Sequence, residues 1–347
     1  MNEVGAVLEG IAAAARVPED EVAAHRVFRD RVADALAPAG GSAGGSAGRV
    51  AGREGAAGRE GAGSGGARVL RVVDAGSFRH GTAVHGASRF DVFVVLDGGR
   101  PRSLARALEG LRAKVAGALP DAGVRLAPDS VLVDGGARGG GGPAASNTDA
   151  DLRGDDGGAA ARGGNDGNAG DAEARPLRLR LIPAYEAPGD AGSATLAVPD
   201  AARRWVLHRP GAREQLLERI GDAHLRTLIR LVLAWKYANR VPVSSYYLET
   251  AVIRQALRQP SFSLLWDLCW VLEQAAHDDL MNLPDLSSPS QVQKVRATES
   301  LARRIEAQVP LDRAAAHARA AVNAYLDDDT AALDARLAAL FGDRFAL

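Results

Sequence analysis

Apolar positions recur along this chain with two periods, and the switch between them divides it. The spacing predicts helices over Val4–Ala15 and Glu19–Leu36. In the second, Val22, Val27, Phe28, Val32 and Leu36 make an apolar face, and Pro18-Glu19-Asp20 supplies a helix start with proline and acids in the first turn. Val69–Val73, broken only by Arg71, and Phe90–Leu96, carrying the single acid Asp91, read as strands around a Gly76-Ser77 turn and a short helical segment. Leucines 104, 108 and 111 with Val115 predict a helix over Arg102–Leu119. Val124–Leu126, Val131–Val133 and the alternating Leu177–Ala184 predict strands.

From Ala201 the period is helical. Arg213–Asn239 is strongly periodic through Leu216, Ile220, Leu228, Leu231, Val232 and Trp235. Leu248–Leu257, Ser263–His277, Ser290–Gln308, Leu311–Leu326 and Thr330–Leu340 continue the pattern, with Trp266 and Trp270 on a shared face read as core. Pro38–Ala67 and Gly135–Glu173 follow neither period. They are rich in Gly with Ala and Arg, or with Asp and Asn, and are too poor in apolar residues to offset their ordering entropy. The acids Asp149, Asp151, Asp155 and Asp156 miss the spacing of a calcium loop. The expected organisation is bracing helices over 1–37, a flexible linker over 38–67, an α+β core over 68–200 interrupted by an insert at 135–173, and a helical lobe over 201–347.

Composition narrows the function. A net charge of −1 gives no whole-protein attraction to nucleic acid, so any anion site must be a local cluster. No run reaches the length of a membrane span and the N-terminus does not read as a signal peptide, which points to a cytoplasmic protein. A single cysteine, Cys269, excludes an intrachain disulfide and a cysteine cluster for zinc.

The candidate chemistry lies between the two central strands. Small residues at Gly76 and Ser77 let a phosphate approach the backbone closely, and a carboxylate on the next strand is placed to hold a divalent ion beside it. Gly-Ser, eleven residues, then Ser88-Arg89-Phe90-Asp91-Val92 resembles the signature of the nucleotidyltransferase superfamily of the DNA polymerase beta type. The wider phrase GSFRHGTAVHGAS is most similar to its bacterial CD-NTase branch, related to oligoadenylate synthase and cGAS, whose members make cyclic oligonucleotide signals in anti-phage defence. The resemblance covers nearly the whole chain outside the two low-complexity segments. It implies an α+β nucleotidyltransferase core, a helical C-terminal lobe and a cleft between them.

The resemblance also exposes departures. Where the family has its first metal-binding acid this chain has Arg89, and in the strand ending Pro183-Ala184 the third acid is replaced by Arg180; only Asp91 remains. These three carry +1 instead of −3. At about 4 Å and an effective dielectric near 20, each such pair interaction is worth about 4 kcal/mol, so two divalent ions are not expected there. No metal or other cofactor is expected, magnesium being needed only if the chain is an active enzyme. Guanidinium forks bind phosphate oxygens bidentately, so Gly76, Ser77, Arg89 and Arg180 are candidate phosphate ligands.

The helix LIRLVLAWK lacks the family's phosphate lysine, whose place is Leu233. Lys236 is the nearby candidate, and Ser245 and Tyr246 of SSYYLE match a phrase lining the nucleotide pocket. His80 and His85 are weighed as ligands, and Asp74 and Asp134 as substitute carboxylates. Asp97, before Gly98-Gly99, reads as a turn residue. Three functions follow: a catalytically degenerate protein binding a nucleotide, a nucleic-acid end or a partner without metal; an active nucleotidyltransferase using Asp91 with unaligned acids; or a structural subunit of an active homologue.

Overall fold

A computed structural model describes residues 3–37, 67–135, 177–187, 195–200, 202–259, 262–288 and 292–342. Most of both low-complexity segments, with the four acids named above, falls outside these residues. The N-terminal helices are α1 (Glu3–Ala14) and α2 (Glu19–Leu36). The α+β core follows with β1 (Val69–Ala75), α3 (Gly76–His80), β2 (Phe90–Leu96), α4 (Leu104–Ala118), β3 (Gly123–Leu126), β4 (Val131–Gly135), β5 (Leu177–Glu186), β6 (Leu196–Pro199) and β7 (Trp205–His208). The lobe comprises α5 (Ala212–Ile220), α6 (Ala223–Ala238), α7 (Ser245–Ala256), α8 (Leu264–His277), a small β8–β9 ribbon (Leu283–Pro284, Lys294–Val295), α9 (Leu301–Leu326) and α10 (Thr330–Phe341).

The sheet runs β1-β2-β5-β4-β3, with β6 on the far end of β5 and β7 on β6. It is mixed: β2 and β5 are parallel and place Asp91 directly beside Arg180, whereas β1–β2, β3–β4, β4–β5, β5–β6 and β6–β7 are antiparallel. One face is covered by α2 and α4 through Phe28, Val32, Leu108, Leu111 and Val115. The other buries Phe93, Val95, Ile182 and Val198.

The N-terminal pair divides its packing. Leu8 and Ile11 of α1 join the lobe core with Leu228 and Val232 of α6, while Phe28 and Val32 of α2 belong to the sheet. The bracing helices therefore strap core to lobe instead of lying against the core alone.

Four expectations need correction. The periodic run over 213–239 is two helices, because Gly221 takes a left-handed conformation (φ +66°) that ends α5, and the Asp222 carboxylate then accepts from His224 N at 2.7 Å to cap α6. Trp205 lies on a strand, since β6 and β7 precede the first lobe helix; both strands are only four residues long and carry little periodicity. The chain over 292–300 is not helical, and α9 starts at a Ser300 cap and runs through Pro310 as one helix. Proline removes one backbone donor, but Ala307, Leu311, Ala314 and Ala318 bury a continuous stripe across it. Trp266 is 42% exposed and Trp270 only half-buried, so this pair is not core.

Candidate functional site

The cleft between sheet and lobe encloses about 240 Å³. Its core wall is the β1–α3 turn and the exposed ends of β2 and β5. Gly76 opens α3 at φ +66°, and a Cβ there would lie 2.4 Å from Asp91 Oδ2. Only glycine permits this approach, so the turn and the acid are packed as one unit. Phe78 anchors the turn from behind, its ring 5.2 Å from His25 and 5.0 Å from Phe90.

Gly76, Ser77, Arg89, Asp91 and Arg180 all line this cleft, as do Ser245 and Tyr246. Arg180, however, is engaged by the protein itself. Its Nη2 donates to Asp129 Oδ2 at 2.5 Å, its Nε to Ser130 Oγ at 3.1 Å, and its Nη1 lies 3.6 Å from Asp91 Oδ2. Asp129, not singled out from the sequence, brings Arg89, Arg180, Asp91 and Asp129 to neutrality; the +1 expected from the three aligned positions is corrected accordingly. Across the whole lining, acids and cations are in near balance.

Lys236 is not a wall residue. It is 1% exposed, its Nζ donates to Ser245 Oγ at 2.8 Å and it lies 4.7 Å from the Tyr237 ring. Ser245 at the start of the neighbouring α7 draws it inward, so it supports Ser245 and stays outside the cleft lining. Tyr246 is held on both sides: the Arg213 guanidinium stacks 3.6 Å from its ring centroid, and its hydroxyl donates to Asp285 at 3.1 Å. Burial, aided by Asp285 and opposed by Arg213, pushes the Tyr246 phenol up to about 12.

The weighed histidines go to separate carboxylates. His80 Nδ1 lies 2.9 Å from Glu249 Oε2, and His85 Nδ1 2.8 Å from Glu21 Oε2. Asp74 faces the cleft but pairs with Arg29 at 2.6 Å, and Asp134 pairs with Arg125 and Arg178 at the sheet end, outside the cleft lining. Asp97 caps its turn through Gly98 N. Among the described residues, no group of three or more His, Cys, Asp or Glu side chains is arranged to hold a metal ion. This donor set does not fit the two-ion centre that the fold implies.

The floor of the cleft, where α3 meets the lobe, is a buried ionic network. Glu249 of α7 accepts from Arg213 Nη1 at 3.1 Å and from Thr82 Oγ1 at 2.7 Å, in addition to its contact with His80. Arg213 also donates to Thr250 Oγ1 at 2.7 Å and to the Tyr246 carbonyl. Burial opposes ionisation of Glu249, but His80, Arg213 and Thr82 outweigh it and hold the carboxyl at about 2. Nearby His208 is driven down to about 3 by burial, with Arg213, His80 and Arg79 adding repulsion. Glu249 had a sequence signal: it is a lone carboxylate in the apolar run Leu248–Ile253, and such a group must find a buried partner. Asp129, in a Pro-Asp-Ser turn between strands, had none.

No family model and no curated protein matches the sequence. Solved structures do match in shape. CdnC of E. coli MS115-1, solved with ATP, aligns with TM-score 0.63 and 14% identity over 97% of this chain and 98% of its own. The CD-NTase CdnG of Bradyrhizobium diazoefficiens, in complex with GTP, gives 0.62 and 14% over 99% and 96%. The cyclic AMP-GMP synthase DncV of Vibrio cholerae, in complex with the linear intermediate pppA(3′,5′)pG, gives 0.51 and 14% over 80% and 69%. The chain has the CD-NTase nucleotidyltransferase fold, and no helix among the described residues is long and apolar enough to cross a membrane.

Proposed function

We propose that the protein is a catalytically degenerate CD-NTase-like protein that binds a nucleotide, or the phosphate end of one, in its cleft without a metal ion, in a defence or signalling role. The observation that carries this reading is Arg180. It stands beside Asp91 in the parallel β2–β5 register, and its guanidinium bridges Asp91 and Asp129, engaging the carboxylates that a divalent ion would need. A permanent cation in that position takes over the electrostatic role of the ion toward phosphate and leaves no activated hydroxyl for transfer. The supporting features are the retained cleft, the Gly76-Asp91 packing and Arg89 in the cleft wall. The active-enzyme reading requires further carboxylates beside Asp91 that are open to a metal ion; Asp129 is there but is held by Arg180, and Asp74 and Asp134 are likewise committed to arginines.

A second reading, a structural subunit pairing with an active homologue or another protein, draws on the same Arg180 pairing, because an internally neutralised arginine also serves simply to close a pocket. CdnC has been solved in complex with a HORMA protein, so assembly is compatible with this fold.

Titration calorimetry with ATP and GTP, in magnesium and in chelator, on wild type and an Arg89→Ala, Arg180→Ala double variant separates the readings, with products assayed in the same samples. Binding that survives chelator and is lost in the variant is the expected result. Absence of binding throughout favours the structural subunit, and magnesium-dependent product overturns the proposal.

A further inference from the structure

A second concavity of about 530 Å³ lies beside the cleft, across Gln293. Its walls are Arg204, Trp205, Val292, Lys294 and Arg296, with Asn282 at the edge. The cleft and this groove differ in charge. The cleft lining carries carboxylates, whereas the groove has no Asp or Glu in its lining and three cations: Arg204, and Lys294 and Arg296, which it shares with the cleft. Asp200 pairs with Arg204 from outside it, at 2.8 Å.

The groove is also built firmly. Gln293 Oε1 accepts from Leu207 N at 3.0 Å and its Nε2 donates to Asp285 at 3.2 Å, tying the lobe ribbon to β7. Lys294 and Val295 are fixed by pairing with Pro284 and Leu283. Trp205 is half-buried, with Tyr185 edge-on at 5.5 Å. Val206, Gln293, Lys294 and Arg296 border both concavities, so the groove continues the cleft.

We propose that this groove binds a single-stranded oligonucleotide, its phosphates running past Arg204, Lys294 and Arg296 and a base resting against Trp205. A basic track with an aromatic in its wall is the arrangement that holds single strands without reading their sequence. The site lies beyond the nucleotide cleft and does not depend on the cleft being occupied.

Fluorescence anisotropy with labelled eight-nucleotide RNA and DNA strands tests it on the full chain. Three phosphate contacts predict a slope of log affinity against log salt of about −2. Arg204→Glu with Val292→Glu, both outside the cleft lining, is expected to lower oligonucleotide affinity at least tenfold, leaving mononucleotide binding and the melting temperature as in wild type. Arg204→Glu alone, at an exposed position outside the cleft lining, gives the same direction if the double variant does not fold. Ser77→Asp, in the cleft wall, is expected to reduce mononucleotide binding and leave the oligonucleotide bound, so failure of the cleft reading does not mimic failure of this one. Folded groove variants that bind RNA and DNA as wild type does overturn the proposal. So does a wild type that binds neither, or one that binds an oligo-glutamate peptide as tightly.

Discussion

Two arginine–carboxylate clusters lie within one cleft and behave as different materials. At its wall, Arg180, Asp91 and Asp129 keep side-chain exposures of 21, 21 and 15%. At its floor, His80, Glu249 and Arg213 keep 6, 3 and 2%. In the wall, water still reaches the charges and screens part of their attraction. In the floor, each charge has lost its hydration and is held only by its partners, so loss of a partner would leave a bare ion in an apolar setting. The same residue types therefore make a partly hydrated surface in one place and a fixed joint between core and lobe in the other.

The most severe way to break the contrast is to delete one partner of the joint. Glu249→Ala strands the Arg213 guanidinium and should cost about 3–5 kcal/mol in chemical denaturation. A loss below about 1 kcal/mol would mean that solvent reaches the joint.

Acid should sharpen the contrast next. Glu249 titrates near 2 when folded and 4.5 in its ordinary state, so the unfolded chain binds the extra proton between those values and stability falls as pH drops from about 4.5 to 2. His208, near 3 against an ordinary 6.5, is neutral in the fold and charged in the unfolded chain, so its contribution is lost from about pH 6.5 down to 3. Melting temperatures across this range should decline in two overlapping legs; His208→Phe flattens the upper leg and Glu249→Gln the lower.

The smallest effect belongs to the wall. Arg180→Met should change stability by no more than about 1 kcal/mol, because the acids it leaves remain partly hydrated. A larger loss would place the wall in the same class as the floor.

The sequence carried the frame of the molecule well where periodicity was long. The strands bearing Asp91 and Arg180 and the helices carrying Leu108, Val232 and Leu272 are all legible as apolar patterns. Short elements were not, since four residues such as Trp205–His208 cannot display a period. Within the candidate site, the aligned positions Gly76, Ser77, Arg89, Asp91 and Arg180 could be named because a local motif carries them. Their partners could not: Arg180 meets Asp129 across 51 positions and Glu249 meets His80 across 169, separations over which spacing holds no information. Lys236 was misplaced for a related reason, since a lysine on a periodic helix has its direction decided by the neighbouring helix.

The division of labour between α1 and α2 bears on the order in which the molecule assembles. Phe28 and Val32 can engage the sheet as soon as its strands pair, but apart from Val84 the core that Leu8 and Ile11 join is built from helices roughly two hundred or more positions further along. Such distant contacts form late, because the loop between them must first be closed. The earliest helix in the chain is thus among the last to dock fully, and core and lobe remain unstrapped until it does.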